Sequence, residues 1–167
     1  MDILSHGLWG GVAFGRQNKK MFWWSFLFGI APDFFSFGIF TAMTILGLAS
    51  GPDWSSGVPA DSSIPQFVHT LYNITHSLVI FAAVFGIVWL IRKQPFLPML
   101  AWGFHIIVDI FTHSIQFFPT PFLWPFFDTV RVNGIPWSHP IIFIPNVVLL
   151  LVLYLWFFVI KKRRAIP

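Results

Sequence analysis

The run His105-Ile-Ile-Val-Asp109-Ile-Phe-Thr-His113 sets an imidazole, a carboxylate and a second imidazole four residues apart in an otherwise apolar stretch. At 3.6 residues per helical turn, this spacing puts all three on one face, with a drift of about 40° per step, so three potential ligands face one cavity. His6, Asp33 and His76 interrupt other apolar segments in the same way, with His69 one stripe away from His76. An ionisable group at the centre of a membrane helix costs about 2.5–3.5 kcal/mol on insertion scales, and something must offset that cost. Imidazole and carboxylate without thiol suit zinc, manganese or ferrous iron, and one aspartate can bridge two ions. The chain contains no cysteine, which excludes thiolate sites and disulfides. A divalent ion lowers the pKa of its bound water towards neutrality and polarises a phosphoryl or carbonyl oxygen, so hydrolysis is the natural chemistry. The expected cofactor is one or two divalent ions: zinc, with manganese and iron as alternatives.

The elements that carry these residues read as those of a membrane protein. Apolar residues make up 56% of the 167 positions, with 22 Phe and 9 Trp against only 10 Lys and Arg and 6 Asp. A soluble domain of this size cannot hide so much apolar surface. The formal charge of +4 does not point to nucleic acid, because the basic residues sit at the ends of apolar segments: Arg16 with Lys19 and Lys20, Arg92 with Lys93, and Lys161 to Arg164. Under the positive-inside rule those clusters mark the cytoplasmic side.

The expected fold is all-α and polytopic, a single helical membrane domain over 1–167. Four spans are expected over 21–49, 67–91, 95–118 and 140–160, with a short segment over 2–15 tucked against the bundle. Pro32 should bend the first span. The loop over 50–66 carries turn formers and aspartates without Lys or Arg, the character of an outer loop, and the Pro- and Trp-rich loop over 119–139 lies on the same side. Four crossings put every basic cluster on one side and the C-terminus in the cytoplasm. No basic region followed by an apolar run and a small-residue cleavage site opens the chain, so no cleaved signal peptide is expected. Repeats and strand-like alternation are absent from the sequence.

Depth below the basic clusters provides a second test of the candidates. At 1.5 Å per residue, His6 lies about 15 Å in, Asp33 about 20 Å, His76 about 24 Å and the His105 to His113 run about 18 to 30 Å, in one layer of the bilayer. Simpler roles compete with metal binding: a buried polar network or proton path for the cluster, and helix-fastening hydrogen bonds for His69 or Asp33 taken singly. His139 beside Trp137 reads as an interface residue. Arg131 either clamps a phosphate or pairs with Asp128. Thr75, Ser77 and Thr112 either orient imidazoles or bond their own helix turn.

Ser5-His6-Gly7, Pro32-Asp33, Thr75-His76-Ser77, His105-x3-Asp109-x2-Thr112 and Leu123-Trp124-Pro125 occur in this order over residues 5 to 125. With these motifs the chain resembles the YdjM-like group of bacterial membrane-bound metal-dependent hydrolases. More distantly, the helical His and Asp set is similar to zinc-dependent phospholipases C and fungal zinc nucleases. The resemblance implies His6, Asp33, His76, His105 and Asp109 as metal ligands and a place in the bacterial inner membrane. The sequence departs from the group where a second acidic residue often follows Pro-Asp: here Phe34-Phe35-Ser36 follows, and the chain has no glutamate. His113 then serves as an extra ligand or as a general acid, with Asp109 its partner in the catalytic step.

The expected function is a membrane-embedded hydrolase whose metal-bound hydroxide cleaves a phosphoester in a lipid or amphiphile. A transporter or ion relay, and a non-catalytic helical protein with a buried polar network, are the alternatives.

Overall fold

The computed structural model describes every residue except 54, 56, 57, 60 and 161–167, so the basic cluster Lys161 to Arg164 lies outside the described residues. Those residues form helices and loops, with no strand among them. Two helices, Lys19–Ile45 and Pro140–Ile160, are long and apolar enough to cross a membrane, and a bent pair brings the number to three if it counts as one span.

Helix α1 (Ile3–Phe14) begins where the Asp2 carboxylate accepts a hydrogen bond from the Ser5 N–H at 2.9 Å, a cap for the free donors of the first turn. As expected of the segment over 2–15, it is tucked in, packing against the second, sixth and seventh helices. Its approach to α2 (Lys19–Asp33) is close enough to require glycine on both sides. A Cβ on Gly10 would stand 2.6 Å from the Ser25 carbonyl oxygen, and one on Gly29 would stand 2.5 Å from that of His6. Pro32 does not break α2. The chain widens into a π turn over Phe34–Gly38 and continues as α3 (Ile39–Ile45), making one helix of 27 residues. A wide turn of this kind absorbs a local irregularity without ending the helix, and such turns are frequent at functional sites.

The expected continuous span over 67–91 is broken. Helix α4 (Gln66–Thr75) stops at His76, and α5 (Leu78–Arg92) restarts at 56° to it. The break is held by polar groups that a continuous helix would have used internally. Ser77 Oγ accepts from the Ile80 N–H at 3.2 Å and donates to the Trp124 carbonyl, and the Leu78 N–H goes to the Phe122 carbonyl at 3.0 Å. The 119–139 loop thus supplies the partners that allow irregular backbone among apolar helices.

The expected span over 95–118 is also shorter than read. A helical turn at Leu97–Met99 leads into α6 (Leu100–Thr112), and together they reach about 24 Å at 1.5 Å per residue, short of a hydrocarbon core of about 30 Å. The helix ends because the chain turns extended at His113. The strap after the loop fastens that end: the Gly134, Ile135 and Trp137 N–H groups donate to the His113, Phe111 and Thr112 carbonyls at 2.8, 3.1 and 2.9 Å. Helix α7 (Pro140–Tyr154) runs on as a wide helix over Leu155–Ile160. It is joined to α1 by bonds from Trp9 Nε1 to Asn146 Oδ1, from Asn146 Nδ2 to Ser5 Oγ and from the Tyr154 hydroxyl to the Leu8 carbonyl. Helix α5 buries none of its residues and α7 only Asn146 and Leu150, and Ile87, Trp89, Leu90 and Ile91 of α5 and Ile141, Ile144, Leu149 and Leu151 of α7 are exposed, as on surfaces that meet lipid.

Close approach at Gly29 yields a direct expectation. Gly29→Ala should lower stability by about 1–3 kcal/mol, the usual penalty for overpacking, seen as a lower melting temperature in detergent. An unchanged melting temperature would contradict the packing described for α1 and α2.

Candidate metal centre

Helix α6 presents His105 and Asp109 one turn apart, with Nε2 3.2 Å from Oδ2. Asp33 arrives from the last position of α2, just before the π turn, and the break between α4 and α5 turns His76 into the same space. Asp33, His76, His105 and Asp109 each offer one ligand atom within 4.8 Å of all the others. His76 Nε2 lies 3.0 Å from His105 Nε2, 3.4 Å from Asp33 Oδ1 and 3.6 Å from Asp109 Oδ2, and His105 Nε2 is 3.8 Å from Asp33 Oδ1. A tetrahedral shell with bonds of 2.0–2.1 Å has edges of about 3.3 Å, so these separations bracket the size of a zinc shell.

Protonation follows from the hydrogen bonds behind each ring. His105 Nδ1 is 2.7 Å from the Gly29 carbonyl oxygen, which only accepts, so Nδ1 carries the proton and Nε2 presents a lone pair. His76 Nδ1 lies 3.2 Å from the Tyr72 carbonyl oxygen and 3.0 Å from Thr75 Oγ1. The Thr75 hydroxyl has the Leu71 carbonyl oxygen to donate to at 2.8 Å, which leaves its own oxygen free to accept from the His76 ring. Neutral His76 therefore also turns a lone pair inward. Two lone pairs at 3.0 Å repel unless a positive charge lies between them.

Asp109 decides what that charge is. Its Oδ2 is fully buried and has no hydrogen-bond partner, although two imidazole nitrogens stand beside it. An orphaned buried carboxylate oxygen carries a desolvation cost of several kcal/mol. The Met1 ammonium pairs with Asp109 on its other oxygen, so a proton on one imidazole would relieve the histidine pair and balance the charge, but it would leave Oδ2 without a partner. A divalent cation takes every inward lone pair, that of Oδ2 included, as a ligand. Among the described residues, no Lys or Arg is in ion-pair range of Asp33 or Asp109. The donor set thus fits a divalent ion.

The other oxygen of Asp109 faces a second group. Oδ1 is 2.9 Å from His6 Nε2, 3.3 Å from Thr112 Oγ1 and 3.6 Å from His113 Nε2, and it makes an ion pair with the terminal ammonium of Met1. The His6 ring also stacks on His105 with centroids 3.6 Å apart.

The other five sequence candidates therefore gather around the Asp109 carboxylate, but in two sets. Asp33, His76 and His105 stand on one side of Asp109, His6 and His113 on the other. His113 stands at the end of that helical spacing, its N–H donating to the Asp109 carbonyl oxygen at 3.1 Å and its Nε2 3.6 Å from Asp109 Oδ1. It is the residue after α6, with φ −117° and ψ 140°, where the chain turns extended. Outside the cluster, the His69 ring stacks on Phe118, His139 Nδ1 caps α7 by accepting from the Ile141 N–H, and Arg131 pairs with Asp128 at 3.4 Å on an exposed surface. Thr75 does touch a site imidazole, whereas Ser77 spends its hydroxyl on the helix break. The sequence reading missed Tyr72 and the carbonyl of Gly29. Tyr72 was detectable, since it precedes His76 by four residues and shares its helix face. The Gly29 carbonyl has no side-chain signature.

No family model matches the chain, and no curated protein and no solved structure matches it.

Ligand binding to the folded state alone should stabilise the protein. Zinc at one hundred times its dissociation constant should add about 2.7 kcal/mol, measured as a higher melting temperature in detergent. Asp109→Asn and His105→Gln should abolish the gain. A melting temperature indifferent to zinc, manganese and ferrous iron would count against the site.

Proposed function

We propose that this chain is a membrane-embedded, metal-dependent hydrolase of the YdjM-like kind, acting on a phosphoester in a lipid or another amphiphile. The observation that carries the reading is the orphaned Oδ2 of Asp109 beside two inward Nε2 lone pairs. Asp33, His76, His105 and Asp109 hold one divalent ion, zinc by donor set and edge length, with manganese or iron as alternatives. When bound, such an ion supplies Lewis acidity and a water of near-neutral pKa. His6 and His113, on the far oxygen of Asp109, either complete a second ion site or act on protons, with His113 the general acid. The motif resemblance supports the same ligand set, His6 included.

The membrane reading rests on the apolar helices and the outward-facing α5 and α7. In it the chain crosses four times, with α6 and the extended residues after it as the shortest crossing. The basic clusters and the C-terminus face the cytoplasm of a bacterial cell, across its inner membrane. An amphiphile suits this setting. The Asp33 side chain is 11% exposed, and Phe34 and Phe35 beside it are half-exposed, so the site meets the surface at an apolar rim.

A second reading has an observation of its own. Four protein ligands can close a tetrahedral shell, which is how structural zinc is held, whereas a catalytic zinc keeps one position open. A structural ion would fasten α2, α4 and α6 together without turnover.

Elemental mass spectrometry on detergent-purified protein addresses the site, and hydrolysis of phosphoester lipids by the loaded protein addresses turnover. The expected result is about one or two ions per chain, lost in His105→Ala and Asp109→Ala, with cleavage that follows metal content. Metal without cleavage of any phosphoester lipid would favour the structural ion, and no metal after loading would favour a buried polar network.

A further inference from the structure

Tyr72 is buried, with 2% of its surface exposed, and it touches both sets of histidines. Its ring stacks on the His76 imidazole with centroids 3.8 Å apart and planes 23° from parallel. Its carbonyl oxygen lies 3.2 Å from His76 Nδ1, and its hydroxyl lies 3.0 Å from His113 Nδ1. The same hydroxyl donates to the Phe118 carbonyl oxygen at 2.9 Å, and that oxygen lies 2.9 Å from His113 Nδ1 as well. Phe118 holds φ at 47°, in the left-handed region that residues other than glycine rarely enter. Conformations of that kind persist where the surroundings over-determine them, and they gather at functional sites.

These contacts close a ring. Asp109 Oδ2 faces His76, His76 lies under Tyr72, the Tyr72 hydroxyl meets His113, and His113 Nε2 returns to Asp109 Oδ1 at 3.6 Å. The Phe118 carbonyl accepts from Tyr72 and faces His113 Nδ1, so Nδ1 bears the proton and Nε2 turns its lone pair towards the Met1 ammonium, 3.4 Å away beside Asp109 Oδ1.

Resting on the metal-site reading above, we infer that Tyr72 is a positioning residue with two separable handles. Its ring fixes the imidazole plane of His76 for the ion, and its hydroxyl fixes the tautomer and direction of His113 on the opposite oxygen of Asp109. Neither handle is among the side chains that would hold the ion. Partners of this kind, behind the ligands, typically change metal affinity by about 10–100-fold when removed.

The test compares Tyr72→Phe, which keeps the ring, with Tyr72→Leu, which removes both handles, in the full chain purified in detergent. Cobalt(II) titration gives the dissociation constant, and imidazole 15N resonances report the state of each histidine. Tyr72→Leu should raise the cobalt dissociation constant about 10-fold or more, and Tyr72→Phe should stay within about threefold of wild type. Tyr72→Phe, which preserves the packing, should nevertheless shift the His113 Nδ1 resonance while leaving that of His76 in place. A general packing role would lower the melting temperature of both variants without this split. The inference is overturned if wild type binds cobalt and Tyr72→Leu binds it equally well, or if His113 is unmoved in Tyr72→Phe. Failure of wild type to bind cobalt would instead bring down the metal reading, and this inference with it.

Discussion

Everything in this structure turns on the Asp109 carboxylate, a charge buried among apolar helices with no Lys or Arg beside it among the described residues. One oxygen is surrounded by the Met1 ammonium, His6, Thr112 and His113, and the other is left facing His76 and His105 without a hydrogen bond. A single buried carboxylate could be neutralised by a proton. Two carboxylates and two imidazoles that turn lone pairs into one space, with Oδ2 unpartnered even though the Met1 ammonium stands at Oδ1, suit a divalent ion that all four can ligate. The irregularities of the fold make sense as consequences of building that arrangement.

Three of them bear directly on the centre. The α1 and α2 backbones touch at Gly10 and Gly29, which lets the Gly29 carbonyl reach His105 Nδ1 and lets His6 lie against the His105 ring. The 56° break after α4 swings His76 inward, and the loop carbonyls of Phe122 and Trp124 take the polar groups that the break exposes. Helix α6 ends at His113, whose N–H still donates to the Asp109 carbonyl oxygen and whose Nε2 lies 3.6 Å from the second oxygen of Asp109. In the last two cases regular helix gives way beside a site side chain, and specific polar partners offset the loss.

The same irregularities mark the limit of what the sequence shows. The helical class and the buried group of Asp33, His76, His105 and Asp109 were legible, because charge inside an apolar segment is conspicuous and i, i+4 spacing defines a face. His105 and Asp109 fell where that spacing put them. The spans over 67–91 and 95–118 were read as continuous because hydropathy is blind to a helix break. The break at His76 depends on hydrogen bonds to residues more than forty positions away, and the end of α6 depends on a strap from residues 134–137. At His113 the four-residue spacing persists through the N–H bond to the Asp109 carbonyl at 3.1 Å, but the extended backbone beyond it had no sequence signal. Partners supplied by backbone, such as the Gly29 and Phe118 carbonyls, leave no residue-type signal at all.

X-ray absorption at the zinc edge of the zinc-loaded full chain examines the centre itself. A shell of about four nitrogen and oxygen ligands near 2.0–2.1 Å, with the outer-shell scattering of two imidazoles, is expected from His76, His105, Asp33 and Asp109. A shell of oxygen alone, with no imidazole scattering, would mean that zinc binds elsewhere and that the buried histidines and aspartates only fasten the helices.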